Sequence, residues 1–148
     1  MLEIWTDGSC RMLENATPGG WGWVDSFGIE RSGGTESTTN NRMELTAVVE
    51  ALRHHESENN LTVFSDSACI VDCMRFGQWR HWKQNGWLVK SNRRPVANRD
   101  LWEQLLDLCY WRDVEFVWVK AHSGNRGNMI ANRLAQKASK EMLKKILQ

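Results

Sequence analysis

The sequence predicts an α/β fold, a mixed β-sheet of five strands flanked by helices. Strand-like stretches come first along the chain and then alternate with helical patterns, an order typical of a mixed sheet with helices packed on it. The chain has 148 residues, of which 41% are hydrophobic and only two are proline. A chain of this length can bury a core of its own, so we expect a single domain over residues 1–148.

Three strands are predicted in the first quarter of the chain. Residues 2–6 alternate between two faces, and this strand is expected to stop in the turn-forming residues Asp7, Gly8 and Ser9. Residues 21–27 and 29–35 have strand character and are bounded by glycine-containing turns. These patterns therefore predict three strands before the first helix.

Helices and two further strands are predicted in the rest of the chain. Thr39 or Asn40 can cap a helix that runs to about His55, with Glu44 in its first turns. A short apolar strand at 61–65 ends at Asp66. The remaining elements are three helices, a fifth strand and a final helix rich in lysine, at 67–76, 79–84, 99–110, 114–119 and 128–147.

Composition excludes several classes of protein. No apolar run approaches the roughly 20 residues that a membrane helix needs, and the N-terminus does not resemble a secretion signal. We therefore expect a cytoplasmic protein that does not bind membranes. The four cysteines form no Cys-x-x-Cys pair, so the sequence predicts neither a zinc site nor a disulfide framework.

Three acids stand out as candidate metal ligands: Asp7, Glu44 and Asp66. Asp7 and Asp66 are predicted at strand ends, where sites form in open α/β sheets, and Glu44 would join them from the adjacent helix. Clustered carboxylates repel one another unless a cation lies between them, which favours Mg²⁺ or Mn²⁺. Each acid alone has an ordinary alternative, as a turn residue, a first-turn acid or a helix cap.

Charge is distributed unevenly along the chain. Residues 1–66 carry four basic and eleven acidic side chains, whereas residues 67–148 carry fifteen basic and seven acidic ones. The segment 75–99 contains seven basic residues, three tryptophans and no acid. Basic side chains among aromatic ones are typical of a nucleic-acid-binding surface. The alternative is a solvated helix whose tryptophans point inward.

Five stretches carry a family resemblance, at residues 6–10, 38–45, 65–67, 118–122 and 75–99. Together they resemble the bacterial type 1 ribonuclease H family, over essentially the whole chain. The resemblance implies a ribonuclease H-like fold with a basic helical protrusion, acting as a monomer with no obligate protein partner. It also implies two-metal-ion hydrolysis of the RNA strand of RNA–DNA hybrids, leaving 5′-phosphate ends. Two Mg²⁺ per site would be expected in the substrate complex, with Mn²⁺ possible.

The resemblance also assigns roles to individual residues. Catalytic or metal-binding positions would be Asp7, Glu44, Asp66, His122 and Asn132. Hybrid contacts would come from Cys10, Asn15, Thr39, Asn40, Asn41, Arg75, Trp79, Arg80, Trp82 and Lys83. The sequence departs from the family pattern at Ala68, at Ala121 and in a longer loop after Cys10, which puts Asn15 in doubt as a contact.

Asn132 occupies the position at which the family pattern has a fourth acid. No acid lies between Glu115 and Glu141, so a shift in alignment cannot supply one. An amide offers a neutral oxygen, so the cation that activates the nucleophile should bind poorly. We expect cleavage to fall by several orders of magnitude while hybrid binding is preserved. The alternative function is a non-catalytic module that binds RNA–DNA hybrids. The sequence is compatible with a natural or an engineered origin of Asn132.

Overall fold

A computed structural model describes all 148 residues. The strands are β1 (Leu2–Cys10), β2 (Gly19–Asp25), β3 (Glu30–Thr35), β4 (Asn60–Ser65) and β5 (Asp113–Trp118). The helices are α1 (Asn40–His54), α2 (Ala68–Phe76), α3 (Gln78–Gln84), α4 (Arg99–Cys109) and α5 (Arg126–Leu147). The five-stranded mixed sheet with flanking helices is confirmed.

The sheet has the strand order β3-β2-β1-β4-β5. β1 pairs antiparallel with β2, and β2 pairs antiparallel with β3. β1 pairs parallel with β4, which pairs parallel with β5. The central strand β1 therefore joins an antiparallel half to a parallel half, and the chain crosses between them through α1.

The predicted turn after residue 6 is wrong, because β1 continues through residues 7–9 to Cys10. Asp7 pairs with Gly22 and Gly8 pairs with Trp21, so both residues lie inside the ladder. Asp-Gly is common in turns, but the antiparallel partner strand supplies hydrogen bonds that keep this segment extended. Asp7 therefore projects from the interior of a strand and not from its end.

Two helix boundaries also differ from the prediction. Asn125 caps α5 by accepting a hydrogen bond from the Asn128 backbone N–H at 2.9 Å, so the helix begins two residues earlier than expected. Ser67 caps α2 through its hydroxyl, which accepts from the Ile70 N–H at 3.3 Å. Asp66 is consequently free of a capping role and its carboxylate is available for other contacts.

Helix α5 lies directly on the strands that carry glycines. A Cβ atom added to Gly20 would meet the backbone of α5, including the Ser139 nitrogen at 2.6 Å. A Cβ on Gly22 would lie 2.6 Å from the Leu134 Cβ. The helix presents small buried residues to this surface, namely Ala131, Ala135, Ala138 and Ser139. The absence of side chains at Gly20 and Gly22 therefore allows α5 to approach the sheet closely.

The main hydrophobic core lies around the other helices and includes the tryptophans Trp23, Trp82, Trp87 and Trp102. One arginine joins two helix ends over this core. Arg112 donates from Nη2 to the Leu52 carbonyl and from Nη1 to the His55 carbonyl, both at 2.8 Å, and from Nε to the Leu108 carbonyl at 2.6 Å. These carbonyls belong to the C-terminal ends of α1 and α4, where backbone acceptors lack partners within the helix. No helix of the structure combines the length and apolar character required to span a membrane.

Candidate active site

The structure brings Asp7, Glu44 and Asp66 together, although they come from three different elements. Asp7 lies within β1, Glu44 in the second turn of α1, and Asp66 directly after β4. One carboxylate oxygen from each lies within 4.8 Å of the others. Asp7 and Glu44 are buried and Asp66 is partly buried. Three hard oxygen donors in such proximity form the kind of cluster that holds a divalent cation.

Gly8 allows Glu44 to reach the cluster. A Cβ atom at Gly8 would lie 2.5 Å from the Glu44 backbone nitrogen and 2.6 Å from the Met43 carbonyl carbon. These are backbone atoms of α1 and cannot move aside without displacing the helix. The lack of a side chain at Gly8 therefore lets α1 contact β1 directly, which places Glu44 beside Asp7.

The electrostatics of the cluster favour a bound cation. Burial, and then the negative charge of Asp7 and a hydrogen bond with it, raise the pKa of Glu44 to about 10. Burial and the charge of Asp7 also raise the pKa of Asp66, against a hydrogen bond from Asn128 that lowers it. Glu44 Oε2 is buried and has no hydrogen-bond partner. A divalent cation would pair with this oxygen and offset the repulsion, so the residues present fit such an ion.

Two amides on α5 contact the acids. Asn132 donates from Nδ2 to Asp7 Oδ2 at 2.8 Å, and Asn128 donates from Nδ2 to Asp66 Oδ2 at 3.2 Å. Asn132 thus lies where a fourth ligand would be expected, with its amide nitrogen toward Asp7. Asn128 is buried, and we did not identify it as a site residue from the sequence. Its spacing of four residues from Asn132 could have indicated it, because that interval places both amides on one helix face.

His122 lies on the loop between β5 and α5. Its side chain is exposed, and its backbone is in the left-handed region with φ of 56°. His122 lies close enough to Asp66 for its charge to lower the pKa of that carboxyl. Burial and the charge of Asp7 outweigh this effect, so the pKa of Asp66 is raised overall. His122 is therefore an exposed imidazole close to Asp66.

A protein-family model described as RNase H matches residues 1–140. The chain belongs to the RNase H family. The Ribonuclease H of Hyphomonas neptunium is 41% identical and covers 96% of this chain and 94% of its own length. The Ribonuclease H of Methylobacillus flagellatus is 43% identical, with coverage of 97% and 94%, and the Ribonuclease HI of a Synechocystis strain is 42% identical, with coverage of 90% and 84%. The family resemblance drawn from the motifs is therefore confirmed.

Two solved structures show the same architecture. The crystal structure of LC9-RNase H1, a type 1 RNase H with the type 2 active-site motif, matches with a TM-score of 0.79 and 30% identity, covering 95% of this chain and 72% of that one. A foamy viral protease-reverse transcriptase in complex with an RNA/DNA hybrid matches with a TM-score of 0.82 over 93% of this chain and 20% of its own. At 19% identity the second match shows the fold alone.

The residues predicted to contact the minor groove, and Thr39, which is predicted to contact a DNA phosphate, lie around the start of α1 and the end of β1. Thr39 is exposed and caps α1, while Asn40 and Asn41 are exposed in its first turn. Cys10 ends β1 and is partly buried. Its Sγ and the Thr38 side chain both pack against Gly19, where an added Cβ atom would lie 3.0 Å from that Sγ. Asn15 is exposed in the loop between β1 and β2. Asn40 and Asn41 therefore share α1 with Glu44, and Cys10 shares β1 with Asp7.

The basic segment is only partly a surface for nucleic acid. Arg80 and Lys83 are exposed and lie over the ring of the partly buried Trp79, 4.7 Å and 5.4 Å from its centroid, so three predicted contact residues form one cation–π cluster. Arg75 is exposed and lies over the neighbouring Phe76 ring instead, at 5.8 Å. The three basic contact candidates are therefore exposed on α2 and α3, whereas Trp79 is partly buried against the core.

The structure contradicts the assignment of Trp82 as a nucleic-acid contact. Only 8% of this residue is exposed, and its ring lies 5.2 Å from Trp102 and 6.1 Å from Trp87. Trp82 lies three residues after Trp79 and on the same side of α3, and Trp79 is itself partly buried against the core. Its role is to anchor α3 to α4 through aromatic packing.

Proposed function

We propose that this chain is a ribonuclease H whose catalytic site acts on the RNA strand of RNA–DNA hybrids and is weakened by Asn132. The observation that carries the proposal is the set of three carboxylates within 4.8 Å of one another, with the Asn132 amide bonded to Asp7. The RNase H names of the relatives, at about the same length and over 40% identity, support the reaction class.

Asp7, Glu44 and Asp66 would hold Mg²⁺ or Mn²⁺. The bound cations would supply charge stabilisation at the phosphate and lower the pKa of a water nucleophile. To bind a cation, Glu44 must release the proton that its raised pKa of about 10 retains at neutral pH. The acids are held for this by backbone contacts: the Trp118 indole N–H donates to the Asp66 carbonyl at 3.2 Å, and Gly8 N–H donates to Asp7 Oδ1 at 2.9 Å.

Asn132 limits the site for two physical reasons. Its amide nitrogen faces Asp7, so offering an oxygen ligand requires the amide to rotate and the 2.8 Å hydrogen bond to break. Even after rotation the amide oxygen is neutral, whereas the carboxylate of an aspartate would contribute a full negative charge. Loss of one charged ligand weakens the site without altering the surface that binds nucleic acid.

The substrate surface extends from the acids to the exposed residues on either side. We propose that Cys10, Asn15, Thr39, Asn40 and Asn41 contact the minor groove and the DNA phosphates. The cluster of Trp79, Arg80 and Lys83, together with the exposed Arg75, would bind the DNA strand through charge and aromatic stacking. Contacts to phosphate and sugar carry no base identity, so binding should be independent of sequence and should weaken steeply with salt.

The test compares this chain with Asn132→Asp on a labelled RNA–DNA hybrid in Mg²⁺ and in Mn²⁺. We expect equal binding of the hybrid by both proteins and cleavage faster by several orders of magnitude in the Asp form; each tenfold change is worth about 1.4 kcal/mol of barrier. Asn132→Ala serves as the matched control that removes the amide without adding charge, and it should cut no faster than the parent.

A second candidate function is a hybrid-binding module that does not cut. The observation that favours it is the Asn132–Asp7 hydrogen bond, which satisfies an acid without a cation. If both proteins bind the hybrid and neither cuts it, the binding module is the correct assignment. If this chain cuts as fast as Asn132→Asp, our account of Asn132 is wrong and another ligand completes the site.

A further inference from the structure

Asn128 is a buried amide on α5 that contacts one of the three acids. Only 4% of this residue is exposed, and its Nδ2 donates a hydrogen bond to Asp66 Oδ2 at 3.2 Å. An ionised carboxylate can only accept hydrogen bonds, so the amide must present its nitrogen to Asp66. The bond uses one oxygen of Asp66 and leaves the other, Oδ1, for a cation.

The main chain around Asp66 is fixed by contacts on both sides. The Trp118 indole N–H donates to the Asp66 carbonyl at 3.2 Å, and the Val119 N–H donates to the Ser65 carbonyl at 2.9 Å. Ser67 caps α2 through its hydroxyl. None of these contacts involves the Asp66 carboxylate, which is only partly buried and can turn toward solvent unless a side chain holds it.

Repulsion between the acids favours such a rotation. Asp7, Glu44 and Asp66 each place a carboxylate oxygen within 4.8 Å of the others, and Asp66 is the least buried of the three. In the absence of a cation, the negative charge of Asp7 therefore pushes the Asp66 carboxylate outward. Asn128 opposes this movement, because breaking its bond to Asp66 would leave a buried amide N–H unpaired.

Asn128 also lies on a rigid part of the fold. Its backbone N–H donates to Asn125 Oδ1 at 2.9 Å, which fixes the first turn of α5, and the helix packs closely on β2. Asn132, one turn later, differs in one respect: its bond to Asp7 must break before its amide can offer an oxygen. The bond from Asn128 to Asp66 can persist when a cation binds, because it leaves one carboxylate oxygen free.

We propose that Asn128 is a positioning residue that orients the Asp66 carboxylate for cation binding. The inference rests on the proposed function, because it starts from the divalent cation that this function requires at the three acids. Hydrogen bonds to ligating carboxylates orient them, and loss of such a partner typically lowers metal affinity about 10- to 100-fold. Because Asn128 is buried, it acts from within the protein and not through contact with the hybrid.

The test measures binding of Mn²⁺ to the full chain by EPR spectroscopy, which reports the free ion and requires no catalysis. Asn128→Leu nearly preserves the side-chain volume and removes the donor, so the affinity for Mn²⁺ should fall at least about tenfold. Asn128→Ser, whose side chain is too short to reach Asp66, should show the same loss and serves if Asn128→Leu fails to fold. Urea unfolding checks that each variant is folded.

Ala135→Gly is the matched control. It weakens the same helix by about 1 kcal/mol at a buried position away from the acids, so it tests whether any loss of helix stability lowers cation affinity. The affinity of Ala135→Gly for Mn²⁺ should equal that of the parent. Binding of the hybrid in EDTA should be the same for the parent, Asn128→Leu and Ala135→Gly.

Kinetics in the Asn132→Asp form separate positioning from substrate binding. Adding Asn128→Leu to that form should lower kcat at limiting Mn²⁺ and leave KM for the hybrid unchanged. Raising the Mn²⁺ concentration should restore most of kcat, because a site of lower affinity fills at a higher concentration of its ligand. A variant that is merely misfolded would not be rescued in this way.

Three results would overturn the proposal: unchanged Mn²⁺ affinity in the folded Asn128 variants, an equal loss in Ala135→Gly, or a loss of hybrid affinity in place of Mn²⁺ affinity. A parent chain that binds no Mn²⁺ would refute the proposed function and the positioning role together. If Asn128→Leu loses Mn²⁺ affinity but Asn132→Asp does not cut the hybrid, the proposed function is refuted and the positioning role is supported.

Discussion

Replacing Glu44 by glutamine should make the cation-free protein more stable, although it removes a residue of the candidate active site. The pKa of Glu44 is raised from its ordinary 4.5 to about 10, chiefly by burial. Above pH 4.5 the unfolded chain has therefore lost a proton that the folded chain keeps, so stability decreases as pH rises until pH reaches the folded pKa. At 1.36 kcal/mol per pH unit, Glu44 costs about 3 kcal/mol at pH 7.

The assay is urea unfolding in EDTA at pH 5, 7 and 9. Glu44→Gln should be more stable than the parent by less than about 1 kcal/mol at pH 5, about 3 kcal/mol at pH 7 and about 6 kcal/mol at pH 9. Adding Mg²⁺ should stabilise the parent more than the variant, because a ligand that binds only the folded state shifts the equilibrium toward it. Glu50→Gln is the control on the same helix, and its stability difference should not grow with pH.

A gain from Glu44→Gln that stays constant between pH 5 and pH 9 would refute this reasoning, since it would show that Glu44 ionises in the folded protein as it does in the unfolded chain. A loss of stability in the variant at every pH would do the same. Either result would also weaken the argument that the acid cluster needs a cation to balance its charge.

Three other perturbations test features of the fold. Arg112→Ala should cost about 3 kcal/mol in urea unfolding, because several charged hydrogen bonds to partly buried carbonyls are lost, whereas Arg53→Ala at an exposed pair should cost under about 1 kcal/mol. Equal losses would contradict the role of Arg112 in joining the ends of α1 and α4. Gly8→Ala should destabilise by about 2 kcal/mol and weaken Mg²⁺ binding in calorimetry, and unchanged affinity would show that α1 need not touch β1. Burial would raise the pKa of Asp25, but hydrogen bonds from His55 and two backbone N–H groups lower it overall, so the stability from its ionised form is present above pH 3.8 and is lost as pH falls through the lower folded pKa. Asp25→Asn should therefore be less stable at pH 7 by about 2 kcal/mol, and the difference should shrink toward pH 3; a constant difference would exclude ionisation as its cause.

The type and order of the secondary-structure elements could be predicted from the sequence because strand and helix periodicities are local properties. The extent of β1 could not, because the extension through Asp7 and Gly8 depends on pairing with β2 and on contact with α1. Both are long-range effects. The start of α5 was missed because the Asn125 cap resembles any polar loop residue until its hydrogen bond is seen.

The candidate site shows the same division. The three acids could be identified because each lies in a distinctive local motif that matches a family pattern. Asn128 was missed because a buried amide acquires its role only through its contact with Asp66. Trp82 was placed on the wrong surface, since a tryptophan in a basic segment can face either solvent or core, and α3 is too short for periodicity to decide between them.

The close packing of α5 on Gly20 and Gly22 determines how readily the chain could change its activity. The separation between residue 132 and Asp7 depends on how closely the backbone of α5 packs on β2, where Gly20 and Gly22 have no side chains. An aspartate at position 132 would therefore lie beside Asp7, where repulsion between two carboxylates, offset by a bound cation, would replace the present hydrogen bond. Asparagine and aspartate codons differ by a single base, so one mutation separates this chain from a site with four acids. In an evolving population the weakened form would be a reversible state, and both forms would share one scaffold.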